Sequence, residues 1–332
     1  MAPRAKIRLD PFLLAIVAAA VVASFLPATG VGETILDWAT KVAIFCLFLL
    51  YGARLKPAEA LAGLKHWRLH LTILACTFLL FPAVGFLIGF VPAAILPAAL
   101  LPGLVYTTLC PSTVQSSINF TSIARGNVAG AIVSASASNL LGVFLTPLLA
   151  IALMNTTGQA AVGWGSIVNL MGQILLPFIL GQLSRRWTAD FVARHKKLRL
   201  FDQASIVLVV YAAFSEGIRE GIWGMVSLGD IGLLVVCCLV ILAVMLWFTW
   251  WLAHRLGFSR EDAIAIQFCG TKKSLATGLP MATVLFAGQP IGLIMLPLMV
   301  FHQAQLMACS WLASRYAQDP DAAARPATGD PA

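Results

Sequence analysis

Residues 267–280 read QFCGTKKSLATGLP, which sets two adjacent lysines near the middle of an apolar run from about 261 to 286. The hydrocarbon core of a bilayer takes about 20 residues of helix, and this run is long enough. A lysine at the centre of such a span costs at least about 2.5–3.5 kcal/mol on insertion scales. Two neighbouring ones repel. They persist only beside water, beside the carbonyl ends of a broken helix, or beside an anionic ligand. Gly270, Gly278 and Pro280 flank Lys272 and Lys273, so the helix is expected to be interrupted there.

The rest of the chain supplies the membrane. It is 60% hydrophobic and only 11% charged, with mean hydropathy +0.89, too little charge to cover a soluble protein of 332 residues. Apolar runs near 11–27, 34–52, 70–90, 94–122, 127–154, 163–183, 201–218, 229–253, 261–286 and 290–314 predict ten spanning helices. They are too long, and alternate too little, for barrel strands. The basic start and apolar middle of residues 1–30 resemble a signal peptide, but with nine spans following, that run reads as a retained helix. The Pro/Ala/Asp-rich segment after Ala317 predicts disorder. Seven cysteines lie in apolar stretches without a CxxC or Cys/His pattern, so no disulfide framework or zinc site is indicated.

The net charge of +8 points to topology here, with no nucleic-acid partner expected. Arg4, Lys6 and Arg8 precede the first run. Arg54, Lys56, Lys65 and Arg68 follow the second, and Arg125 follows the fourth. Arg185, Arg186, Arg194, Lys196, Lys197 and Arg199 fall in the connection after the sixth. Arg255 and Arg260 follow the eighth, and Arg315 and Arg325 follow the tenth. These are eighteen of the 22 basic residues, all on one side of a ten-span map; Arg219 alone falls on the other. Both termini are therefore expected in the cytoplasm, with the chain in a cell inner membrane.

The fourth run is polar in its second half, CPSTVQSSINFTS at 110–122, and the ninth is interrupted at 270–278. Each is the fourth span of a five-span set. The second and seventh runs are each followed by a longer connection containing Trp67 or Trp223. An odd-numbered unit must repeat upside down. The expected fold is all-α, with a first five-helix repeat at 1–155, a second, inverted one at 156–317, and a cytoplasmic tail at 318–332. Paired interruptions at matching positions of inverted halves point to a solute site near the midplane.

Candidate substrate- or ion-binding groups are Ser112, Thr113, Gln115, Ser116 and Ser117 on span 4, and Gln267, Thr271, Lys272, Lys273 and Ser274 on span 9. Ser134, Ser136, Ser138 and Asn139 stripe span 5, either for close helix packing or as a second layer of polar groups. His302 and Gln305, one turn apart, suit a proton relay or a bond to a neighbouring helix. The lysines also read as a structural lock, with one of them bonding freed carbonyls of span 4. Asp37 and Lys41 are expected to pair. Asp10, Asp202, Glu261 and Asp262 read as acids at helix starts, Glu216 as a closing residue near the outer surface, and His66 and His70 as interfacial. No catalytic constellation, phosphate loop, cofactor motif or certain metal site appears, so an enzyme is not expected.

These features resemble the bile acid:sodium symporter superfamily in its SBF-like branch, over nearly the whole chain. The most specific stretches are Cys110–Ser117, Ala124–Asn127 and Phe268–Pro280. The resemblance implies two inverted repeats. Spans 3–5 and 8–10 form a core in which broken spans 4 and 9 cross, spans 1, 2, 6 and 7 form a panel, and solute binds between the two. Sodium-coupled members use a carboxylate and a glutamine in span 9. Here Phe268 stands near the carboxylate position and Lys272 near the glutamine.

The expected function is alternating-access transport of a small organic anion across the lipid bilayer. A span 9 lysine takes the place of sodium, and Na+ or H+ are the possible coupling ions. Two alternatives are a sodium-coupled symporter of organic anions or bile-acid-like solutes, and a non-transporting membrane regulatory protein.

Overall fold

A computed structural model of the chain describes residues 11–54, 66–92, 96–156, 168, 171–195, 197–219, 221 and 224–318. Among these residues the fold is entirely helical. The expectations for Arg4, Lys6, Arg8, Asp10, Lys56, Lys65, Lys196, Trp223, Arg325 and the tail beyond Gln318 lie outside the described residues.

In chain order the helices are α1 (Pro11–Phe25), α2 (Val31–Arg54), α3 (Trp67–Ile88), α4 (Leu101–Leu109), α5 (Val114–Ile123), α6 (Val128–Met154), α7 (Leu176–Arg194), α8 (Leu198–Arg219), α9 (Leu228–Arg255), α10 (Arg260–Thr271), α11 (Leu275–Leu285) and α12 (Ile291–Ala317). Six of them, α2, α3, α6, α8, α9 and α12, are long and apolar enough to cross a membrane. Val236, Val240, Val244 and Trp247 form an exposed apolar stripe along α9, as a lipid-facing helix requires.

The other four expected spans fall short for visible reasons. α1 has 15 residues. The fourth and ninth expected spans are each two short helices around an extended segment. α7 carries Arg185 and Arg186 within the helix, which corrects their expected place in the following connection. Arg199, Arg255 and Arg260 likewise lie on helices.

Wide π-helical turns occur at Cys76–Leu80 and Met171–Leu175, just before Pro82 and Pro177. Proline offers no N–H to the turn before it, and the wider turn accommodates that loss. Three helix starts are capped by side chains. Asn127 accepts from Gly130 N at 2.8 Å, Ser259 from Asp262 N at 3.1 Å, and Ser227 with Asp230 forms a capping box.

The chain divides into two compact bodies. The first consists of α1, α2, α7, α8 and residues 279–293. Gly52 of α2 lies against the Phe178 carbonyl, and Gly181 of α7 against the Leu49 carbonyl, with no room for a Cβ at either. Small residues thus bring these two backbones together. Asp202, 8% exposed in the second turn of α8, forms an ion pair with Arg54. It is therefore a tertiary partner, and the expected helix-start role does not describe it. The second body consists of α3–α6, α9, α10, residues 275–278 and residues 294–317. The grouping matches the panel and core that the resemblance implies, with residues 279–293 added to the first.

Candidate functional site

Within the second body the two extended segments meet. Cys110–Thr113 separates α4 from α5, and Lys272–Ser274 separates α10 from α11; their backbones have ψ near 150°. Ser274 N donates to Pro111 O at 2.7 Å, joining one interruption to the other. Breaking a helix leaves carbonyls at one end and N–H groups at the other without helical partners. Here the lysines and polar side chains meet them.

Lys273 is fully buried. Its ammonium donates to the carbonyls of Thr108 at 2.7 Å, Cys110 at 2.8 Å and Thr77 at 3.3 Å, and sits 4.1 Å from the Phe81 ring centroid. An ammonium has three N–H bonds, and all three are engaged. The peptide of Lys273 is held as completely. Its N–H donates to Gln305 Oε1 at 2.8 Å, and its carbonyl accepts from Gln305 Nε2 at 2.8 Å, with His302 Nδ1 at 3.2 Å. His302 and Gln305 therefore bond to the span 9 interruption, one of the two roles expected for them.

Lys272 is equally buried but differently placed. Its ammonium donates to Ser116 O at 2.8 Å and lies 3.8 Å from the Phe120 ring and 5.7 Å from the Phe268 ring. Two of its N–H bonds have no hydrogen-bond acceptor among the described residues. Phe268, at the position where the resemblance places a carboxylate, offers an aromatic face to a cation instead.

The hydroxyl cluster surrounds this crossing. Ser112 N donates to Ser138 Oγ at 3.1 Å, and Ser112 and Ser117 hydroxyls lie 3.5 Å apart. Thr113 Oγ1 is 2.6 Å from Ser116 Oγ. Ser117 Oγ reaches Phe268 O at 3.5 Å. Thr277 donates to Asn139 Oδ1 at 2.8 Å and accepts from Ser274 Oγ at 3.1 Å. Thr271 bonds to Gln267 O and lies 3.3 Å from Thr249 Oγ1. Gln267 is spanned by Leu246 O and the Tyr316 hydroxyl, each at 2.9 Å, so it props α10 from outside the crossing. Ser134 pairs with His70 at 2.6 Å, a bond between α3 and α6 that the interfacial reading of His70 did not include. Gln115 is exposed and apart from the cluster.

Sequence reasoning missed the carbonyls of Thr77 and Thr108 and the rings of Phe81 and Phe120. A carbonyl has no side-chain signature, and an apolar run does not say which phenylalanine turns inward.

The chain as a whole is similar to known proteins. The chain belongs to the SBF-like CPA transporter family, whose model matches residues 10–318. It is 49% identical to a Pseudomonas aeruginosa protein named "Uncharacterized protein PA2026", over 95% of each chain. It is 47% identical to the Escherichia coli protein named "Putative symporter YfeH", over 93% of each. "Sodium/bile acid cotransporter 7" of Danio rerio is 30% identical over 93% of this chain and 94% of its own. This is therefore a multi-pass membrane protein of a transporter family, whose substrate class is a small solute.

Proposed function

We propose that this protein is a secondary carrier of a small organic anion, working by alternating access without obligatory sodium. The observation that carries the reading is the unequal engagement of the two lysines. Lys273 has all three N–H bonds on carbonyls and acts as a cation tethered inside the crossing. Lys272 keeps N–H bonds for a ligand and bonds the Ser116 carbonyl, in the helix whose Ser116 and Ser117 hydroxyls gather at Thr113. A carboxylate or similar anion received there gains a charge-assisted hydrogen bond in a dry setting. A cation supplied by the chain removes the need for one from solution. If Lys272 keeps its charge throughout, transport is uniport or exchange; if it releases a proton in one state, transport is proton-linked.

The reading includes ten spans in two inverted repeats, 1–155 and 156–317, with both termini cytoplasmic in a cell inner membrane. It is supported by the paired interruptions and the one-sided basic residues.

The test is counterflow in proteoliposomes with pooled metabolites under imposed sodium and proton gradients. Flux without sodium is expected. Lys272→Gln is expected to fold and to lose that flux or change its coupling. Strictly sodium-driven flux, unchanged in Lys272→Gln and Lys273→Gln, would overturn the proposal. It would favour the second reading, a sodium-coupled symporter, which the name of the Danio rerio relative supports.

A further inference from the structure

The turn between α7 and α8, in the first body, gathers positive charge that nearby acids do not balance. Between Ser184 and Asp202 the described bases are Arg185, Arg186, Arg194, Lys197 and Arg199, against two acids, Asp190 and Asp202. Asp202 is taken by Arg54. Asp190 forms no ion pair among the described residues. Lys197 precedes α8, and Arg199 stands in its first turn, where there is no acid. The positive end of the helix dipole adds to the same field.

An exposed apolar stripe leads up to this charge. Leu176, Leu180, Leu183, Trp187 and Phe191 recur at three- and four-residue spacing and share one face of α7. All five are exposed, Trp187 by 75% and Phe191 by 56%. The stripe outruns the helix packed beside it. Gly52, in the last turn of α2, meets the Phe178 carbonyl. Trp187 is nine residues further along α7, about 13 Å at 1.5 Å each. A tryptophan at the end of a lipid-facing stripe suits the headgroup level of a bilayer. Arg186, Asp190 and Arg194 form the next row of the same face, at four-residue spacing. Both arginines are exposed, and the Arg186 guanidinium lies 6.0 Å from the Trp187 ring centroid.

We infer that this face of α7, with the turn that follows it, is a binding site for an anionic phospholipid. The acyl chains lie along Leu176, Leu180 and Leu183, and Trp187 takes the glycerol level. Arg186 meets the phosphate, held in the field of Arg194, Lys197 and Arg199. Asp190 opposes it. Charge complementarity selects an anionic headgroup, and the continuous apolar stripe selects a lipid over a soluble anion or an acidic peptide. The site lies within the first body and does not depend on the solute site proposed at the crossing.

The test is native mass spectrometry of the purified full chain in detergent. It is titrated with phosphatidylglycerol, and separately with phosphatidylcholine carrying the same acyl chains. Saturable retention of phosphatidylglycerol in preference to phosphatidylcholine is expected, weaker at about 1 M salt than at about 0.1 M. Arg186→Gln with Arg194→Gln is expected to weaken it about thirtyfold, and Asp190→Asn to strengthen it about fivefold. Arg255→Gln with Arg315→Gln, an equal loss of charge in the second body, is expected to change it less than about threefold. Thermal midpoints without lipid report that each variant is folded. The inference is overturned if phosphatidylcholine is retained equally, if the two double variants behave alike, or if Asp190→Asn weakens retention. It is overturned also if sn-glycerol 3-phosphate displaces the lipid, which marks a soluble-anion site, or if polyglutamate does, which marks a surface for an acidic protein.

Discussion

At position 273, geometry selects an ammonium. Three carbonyls converge on one point within 2.7–3.3 Å. A lysine fits that arrangement, whereas a planar guanidinium with its donors in a fixed fork does not. Lys273→Arg is therefore expected to lower the thermal midpoint and the monodisperse yield sharply. Lys272→Arg, facing one carbonyl and two rings, is expected to be tolerated. Equal behaviour of the two in fluorescence-detected size exclusion would contradict this assignment. Gln305→Leu removes the partner of the Lys273 N–H and one of the two partners of its carbonyl, which keeps His302, so a loss of about 1–3 kcal/mol is expected in thermal unfolding. The lysines were legible in the sequence because charge inside a hydrocarbon span is conspicuous. Their different roles were not, because the distinction lies in backbone groups of α3, α4 and α5 that any residue type would supply.

Among the helices, the interruptions were readable from Gly270, Gly278, Pro280 and the polar run after Cys110, since each weakens a continuous apolar helix. The turn at Ala124–Asn127 was readable only as a motif. In the structure Arg125 has φ 57°, Gly126 abuts Ile264, and Asn127 links α6 to α10 through Asp262 Oδ1 at 2.7 Å. The close approach of α2 and α7 was not legible, because a glycine in an apolar run does not announce which backbone it admits. Gly181→Val is expected to force these helices apart and abolish folded yield. Gly232→Ala on α9, with nothing within 4 Å of the added Cβ, is expected to be neutral or to stabilise by up to about 1 kcal/mol. Comparable yields of the two variants would sink the packing argument.

For the whole chain, the charge separation is the most informative reading. Eighteen basic residues on one side predict that a reporter fused after Ala317 is active only in its cytoplasmic form; activity confined to the periplasmic form would refute it. A lysine bound to its own backbone also has an electrical consequence. Its charge moves with its helices and returns with them, so over a complete cycle it carries no current. In the uniport case, with both lysines charged throughout, the solute then moves alone across the field. For a monovalent anion an inside-negative potential works against entry by about 2.3 kcal/mol per 100 mV. At equilibrium that is a concentration ratio on the order of forty, with the anion richer outside. A potassium diffusion potential in proteoliposomes is thus expected to hasten efflux and retard uptake. A symporter that brings in two or more sodium ions per monoanion responds with the opposite sign. If Lys272 and Lys273 do stand in for sodium, the protein works in the cell as an exit for its solute, with the membrane voltage as its driving force.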